Sequence, residues 1–300
     1  MGVYFGENTI NMNNIITIND PQYPEMLKAL GKDAPKQLYY RGNWDMSLFE
    51  NCLAVVGSRR MTSYGQQITN KLISEIASRG ITIVSGFMYG IDATAHKTAL
   101  DIGGRTIAIM PCGIERIHPE YQTKLYADIL ENNGLIISEF EGNSLPAFWT
   151  YPKRNRIIAG LSKATMVVEA GLKSGSLITA NLAKKYKRKV FAVPGPLTSV
   201  LSQGICQLIK EGADVVTCAG DVLEFFGTKA TETRSLSADR DRVSDSSMEQ
   251  RIIQKLQQEP MEIDVLSRLL GISAAEIGTT ISLMQLKGLI FIENGKYFIK

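Results

Sequence analysis

Histidine is scarce in this chain. Two of its 300 residues are histidines, His96 and His118, so a histidine-rich metal site is not expected. Cys52, Cys112, Cys206 and Cys218 are its only cysteines; they lie far apart and form no C-x-x-C pair, which fits reduced thiols in a cytoplasmic protein. No apolar run approaches the length of a membrane span. The opening MGVYFGENTI lacks the basic and then apolar order of a signal peptide, so no membrane partner is expected. Charge of one sign is lacking too: 33 Lys and Arg against 30 Asp and Glu leave a net +3. That is too little to announce a polyanion partner, so any such case rests on where the cations sit.

The common enzyme fingerprints are also missing. Gly57 is followed by Ser58 and Arg59, and the next glycine is Gly65, so no G-x-G-x-x-G brings a backbone close to a dinucleotide pyrophosphate. The chain has no G-x-x-x-x-G-K-[ST], G-x-S-x-G or H-E-x-x-H motif. Asp92 and His96 stand four apart on an expected helix, where an Asp usually serves as a cap or dipole partner. Cys112, between Pro111 and Gly113, has no evident base nearby and reads as a small buried residue, and His118 reads as part of a turn. The expectation is a binding platform with no catalytic residue and no cofactor.

What the chain has is a regular alternation. Short apolar runs such as CLAVVGS, ITIVSG, RTIAIMPCG, LIISEF, ATMVVEAG and KVFAVPG alternate with segments of helical spacing. This predicts an α/β fold, an extended Rossmann-like parallel sheet with helices on both faces, over residues 51–227. Residues 1–50 read as an irregular run-in punctuated by prolines. Residues 228–247 are polar and poor in large apolar side chains, as a linker would be. Residues 248–300 show three helical patterns and then LIFIE and KYFIK around Asn294-Gly295, a hairpin signal and the layout of a small C-terminal winged-helix domain. That domain holds six basic and six acidic residues, and its third helix carries one lysine. A protein-contact role is therefore expected there rather than sequence-specific DNA reading.

Ligands of an open parallel sheet bind outside the carboxyl ends of its strands, where loops lead into helix N-termini. The loop after the first strand holds Gly57, Ser58 and Arg59; a later one holds Lys173, Gly175 and Ser176. In YPKRNRIIAGLS, Tyr151 precedes Lys153, Arg154, Asn155 and Arg156 at the start of a helix. Cations there oppose the macrodipole, so the segment reads as half of an anion site. Glycine, serine and basic side chains suit phosphate. Tyr151 is the favoured base-stacking residue, with Phe148 and Trp149 expected to pack against the sheet. The cations of KKYKRK, residues 184–189, complement the end of a helix dipole, with a DNA contact as the alternative.

The segments VVGSRRMTSYG, SGFMYGIDATAH, YPKRNRIIAGLS, EAGLKSGSLITA and VFAVPG, in this order and spacing, closely resemble the bacterial DNA-processing protein A family. The resemblance spans roughly residues 20–220. It implies a cytoplasmic single-stranded-DNA-binding protein of natural transformation that protects incoming strands and loads the RecA recombinase past single-strand-binding protein. It also implies a homodimer without catalytic activity. The DNA-binding positions it implies are Ser58, Arg59, Lys153, Arg154, Asn155 and Arg156, with Gly175 and Ser176 alongside. No full sterile-alpha-motif domain, which many members carry, is evident before the run-in. Cys206 and His118 stand where the family often has Asn and Tyr. The alternative is a nucleotide-processing hydrolase of the lysine-decarboxylase-like Rossmann type, whose P-G-G-x-G-T-x-x-E motif is not matched in EAGLKSGSLITA.

Overall fold

The computed structural model describes residues 14–228, 248–256, 259–286, 288–293 and 295–299. They fall into two compact units, divided at residues 230 and 231. Residues 229–247 of the expected linker and Asn294 of the expected hairpin turn lie outside the described residues.

The first unit begins with β1 (Ile15–Thr17), α1 (Glu25–Lys28) and β2 (Gln37–Gly42). The alternating portion follows: β3 (Cys52–Gly57), α2 (Ser63–Ala77), β4 (Thr82–Ser85), α3 (Ile91–Asp101), β5 (Thr106–Gly113), α4 (Thr123–Glu131) and β6 (Leu135–Phe140). Next come α5 (Thr150–Leu161), β7 (Ala164–Val168), α6 (Gly175–Lys185), β8 (Lys189–Val193), α7 (Gln203–Lys210), β9 (Asp214–Val215) and α8 (Ala219–Phe225).

Strands β3 to β9 form the expected parallel sheet. The apolar runs are buried on both faces, as a sheet covered twice requires. In β3, Ala54 and Val56 face one core with Ile157 and Ile158 of α5, while Leu53 and Val55 face another with Leu72, Ile73 and Ile76 of α2. Fully burying each such side chain contributes about 1.5–3 kcal/mol.

The run-in differs from its expectation. Strand β2 pairs antiparallel with β6, and β1 with β2, so nine strands run β1-β2-β6-β5-β4-β3-β7-β8-β9. Tyr23, Leu27 and Leu38 are buried in the same core as α5. Prolines and short elements break the periodicity that would have announced this. The Tyr23 hydroxyl, for example, donates to the Pro35 carbonyl at 2.7 Å, which ties the segment together through a turn.

The order reverses at β3. The chain builds outward through β4, β5 and β6, then returns past β3 to lay down β7 on its other side. The carboxyl ends of β3 and β7 therefore bracket the topological switch point, where α/β sheets bind ligands. Gly57 ends β3 there, and a Cβ at this position would overlap the Val168 carbonyl oxygen at the end of β7.

The second unit is a winged helix: α9 (Met248–Leu256), α10 (Ile263–Leu270) and α11 (Ala274–Leu286), then antiparallel β10 (Ile290–Glu293) and β11 (Lys296–Ile299). Ile252, Leu266, Ile277, Ile281 and Met284 form its core. Gly271 ends α10 in the left-handed conformation, φ 65°, a conformation that disfavours other residues.

Candidate nucleic-acid interface

A cavity of about 840 Å³ opens at the switch point. Four loops, after β3, β4, β7 and β8, and the first turns of α5 and α6 surround it. Of the positions expected from sequence, Gly57, Ser58, Arg59, Tyr151, Arg154, Asn155, Lys173, Gly175 and Ser176 all line it. Its charged lining is Arg59, Arg60, Arg154 and Lys173 against a lone carboxylate, Asp92.

Arg154 is the unusual member. It is 3% exposed, and its Nη1 donates to the Ile109 carbonyl at 3.0 Å. Its buried Nε has no hydrogen-bond partner. Burial pulls its pKa down to about 10, with Asp92 opposing the shift, so the group stays charged at neutral pH. Burial likewise pushes the Asp92 carboxyl up, and the Arg154 charge pulls it back by less. Among the described residues, no carboxylate stands within ion-pair distance of Arg154. Gly86 makes room for it: a Cβ there would overlap the guanidinium and lie 2.6 Å from Asp92 Oδ2.

The other parts are fixed around this charge. Ser58 is buried, its hydroxyl accepting from the Arg60 amide at 3.1 Å. The Arg59 guanidinium carbon lies 5.0 Å from the Tyr151 ring centroid, and the Tyr151 hydroxyl is 2.7 Å from His118 Nε2. One face of the ring is thus covered by a cation and its hydroxyl is tethered. Ser174 caps α6, and its Oγ lies 2.7 Å from Ser176 Oγ. The N-terminus of α6 presents hydroxyls and backbone amides to the cavity, an arrangement suited to anions.

Lys153 and Arg156 do not line the cavity. Arg156 Nη2 donates to both oxygens of Glu139 on β6, at 2.5 and 2.6 Å, and Nη1 to the Asp33 carbonyl. Lys153 Nζ lies 3.4 Å from Glu139 Oε2 and over the rings of Phe140 and Trp149. A helix turns about 100° per residue, so four consecutive residues cannot share one face. Arg154 and Asn155 look into the cavity, and their neighbours look toward β6 and the run-in.

Sequence reasoning missed several residues. Asp92 was expected as a helix cap and stands instead beside the Arg154 guanidinium, a juxtaposition across separate elements that no spacing reveals. His118 holds Tyr151 from a turn 33 residues away. Phe148 and Trp149 were expected to pack on the sheet, yet they are 99% and 61% exposed. Phe87 and Glu169, in the loops after β4 and β7, carry positive φ values of 58° and 56°. Such strain concentrates at binding sites. The Glu169 carboxylate accepts from the Thr62 amide at 2.8 Å, which holds the start of α2.

His96 is buried, with Nδ1 2.6 Å from Thr106 Oγ1, and burial pushes its pKa down to about 3. Burial raises Cys112 to about 11 and Cys52 to about 12, far from nucleophilic values. Among the described residues, no group of three His, Cys, Asp or Glu side chains could hold a metal ion, and no helix is long and apolar enough to cross a membrane.

Comparison with known proteins identifies the family. The model for DNA recombination-mediator protein A matches residues 14–227, and that for the DprA winged helix domain matches 230–296. Protein Smf of Escherichia coli is 38% identical over 291 residues, 95% of this chain and 77% of that protein. DNA processing protein DprA of Streptococcus pneumoniae is 41% identical over 210 residues, covering 70% of this chain and 73% of that one. Its X-ray structure superposes with a TM-score of 0.66 at 40% identity, over 70% of this chain and 73% of that one. DNA processing protein A of Helicobacter pylori, solved for its single-stranded DNA binding mode, gives 0.62 at 33% identity, over 71% and 95% of the two chains. The chain belongs to the DNA recombination-mediator protein A family.

Proposed function

We propose that this protein binds single-stranded DNA in the crevice at the ends of β3 and β7 and acts as a recombination mediator in natural transformation. The observation that carries the reading is Arg154, a buried guanidinium with Asp92 nearby but no carboxylate within ion-pair distance, facing a cavity whose lining is mainly basic. Such a charge is costly until an anion arrives. The serine hydroxyls and the α6 N-terminus supply further donors for a phosphate, and Arg59 adds a second guanidinium fork. The Helicobacter pylori relative, a single-stranded-DNA binder, supports the choice of anion. Exposed Phe148 and Trp149 offer faces to unstacked bases, a contact worth about 1–3 kcal/mol per base.

In this reading the crevice holds a strand rather than cutting it, a choice supported by membership of the recombination-mediator family. Delivery of the strand to the RecA recombinase past single-strand-binding protein, by a cytoplasmic homodimer, belongs to the same proposal and is supported by family membership. The hydrolase alternative is not favoured, because the P-G-G-x-G-T-x-x-E motif it needs is not matched in EAGLKSGSLITA.

Arg59→Ala tests the crevice. Arg59 is exposed, so the fold is expected to survive its loss. Affinity for single-stranded DNA is expected to fall by about 1–2 kcal/mol. The slope of log K against log salt is expected to shrink by about 0.7 for each phosphate that is no longer neutralised. Fluorescence anisotropy at several salt concentrations reads both, and an unchanged affinity and slope would remove Arg59 from the site.

A further inference from the structure

The KKYKRK segment is only partly explained by the helix dipole. Lys184 and Lys185 end α6 and complement its macrodipole. That account does not reach Lys163, just before β7, or Lys189, the first residue of β8. These cations meet at the amino ends of the parallel strands, opposite the edge that carries the crevice. They line an open groove of about 610 Å³ with Lys187, Arg188 and Phe225, and no acidic side chain lines it.

The groove holds more positive charge than its surroundings answer. Lys184 pairs with Glu211 at 2.7 Å and Lys189 with Asp214. Lys163 Nζ is 2.7 Å from the neutral Asn51 amide oxygen, and Arg188 donates to the Met26 carbonyl at 2.9 Å. Among the described residues, Lys163, Lys187 and Arg188 have no carboxylate within ion-pair distance. The Arg188 Nε is buried and has no hydrogen-bond partner. Beside these cations stands an aromatic face. Phe225 is 43% exposed and is held by edge contacts with Phe191 and Phe226, at ring-centroid distances of 5.8 and 5.2 Å.

A basic groove with a fixed, half-exposed ring is what strand-tolerant nucleic-acid binding requires: cations for phosphates and a face for a base. We propose that this groove is a second contact site for the phosphodiester backbone of single-stranded nucleic acid, with Lys163, Lys187 and Arg188 on phosphates and Phe225 against a base. The inference rests on the single-strand reading of the crevice and extends it. The five residues of β7, roughly 17 Å of strand, separate the two edges, so only an oligonucleotide longer than the crevice reaches both.

The test uses the full chain with labelled oligothymidylates of about 4 and about 16 nucleotides, the range single sites cover. In Lys163→Glu/Lys187→Glu the dissociation constant for the longer strand is expected to rise about tenfold. Its salt slope is expected to shrink by about 1.4, two phosphates at 0.7 each. Binding of the shorter strand stays as in the wild type, and the Lys163→Arg/Lys187→Arg control keeps both. Lys187→Glu alone, at an exposed position, gives a smaller change of the same sign should the double variant lose its fold. Unchanged binding of the longer strand overturns the inference. So does loss of poly-glutamate binding with the longer strand unaffected, which assigns the groove to an acidic protein. Failure of the crevice reading shows separately, as short-strand binding that ignores Arg59→Ala.

Discussion

Arg154→Met is expected to lower single-stranded-DNA affinity by about 2–3 kcal/mol, roughly 30- to 150-fold, while leaving the thermal midpoint within a few degrees of the wild type. The two halves of this result come from one fact. The guanidinium is charged and nearly dry, hydrogen-bonded to one carbonyl, with Asp92 nearby but not in an ion pair with it. Desolvation costs several kcal/mol per buried ion, and Asp92, beyond ion-pair distance, offsets only part of it. Methionine fills much of the same volume without that cost, and the Ile109 carbonyl loses one donor. Without its cation neighbour, the Asp92 carboxyl moves further up and is protonated more readily. A bound phosphate loses a buried, charge-assisted donor, the strongest hydrogen bond the crevice offers. Arg154→Lys keeps the charge but not the planar fork, and lands between the two. Anisotropy titration beside a thermal melt measures both quantities. Unchanged affinity with a collapsed midpoint would make Arg154 a structural residue.

The second large effect has the opposite signature. Arg156→Met is expected to destabilise the first unit by about 2–3 kcal/mol, a fall of roughly 5–10 °C in Tm. Affinity per folded molecule is expected to change less than about twofold. Arg156 and Glu139 are each 15% exposed, and their contact fastens α5 to β6 while the other guanidinium nitrogen holds the Asp33 carbonyl of the run-in. Removing the arginine leaves Glu139 with Lys153 alone, at 3.4 Å on a 40% exposed side chain. The figure sits below the usual cost of breaking a fully buried pair because water reaches both partners. Tenfold weaker binding with an unchanged melt would return Arg156 to the binding site.

Arg154 and Arg156 show what the sequence made legible and what it did not. The sheet was readable because its strands are buried on both faces and appear as unbroken apolar runs. The position of the cavity followed from topology, since loops carrying Ser58, Arg59, Lys173 and Ser176 all lead out of strand ends. The division of labour inside YPKRNR was not readable. It depends on Glu139 and Gly86, which belong to other elements and meet the helix only in the fold. Gly86 finds its reason only in the fold, where a Cβ would overlap Arg154. The two antiparallel strands of the run-in escaped for a simpler cause. Three- and six-residue strands between proline turns are too short to show a period.

The central claim is that the crevice at the switch point holds single-stranded DNA through Arg154. The direct measurement is a competition titration at moderate salt, in which unlabelled single strands and duplexes of one sequence displace a labelled single strand from wild type and from Arg154→Met. The single strand is expected to compete far better than the duplex on the wild type, and Arg154→Met to bind the labelled strand at least tenfold more weakly. Equal competition by duplex, or wild-type affinity in the Arg154 variant, would contradict it.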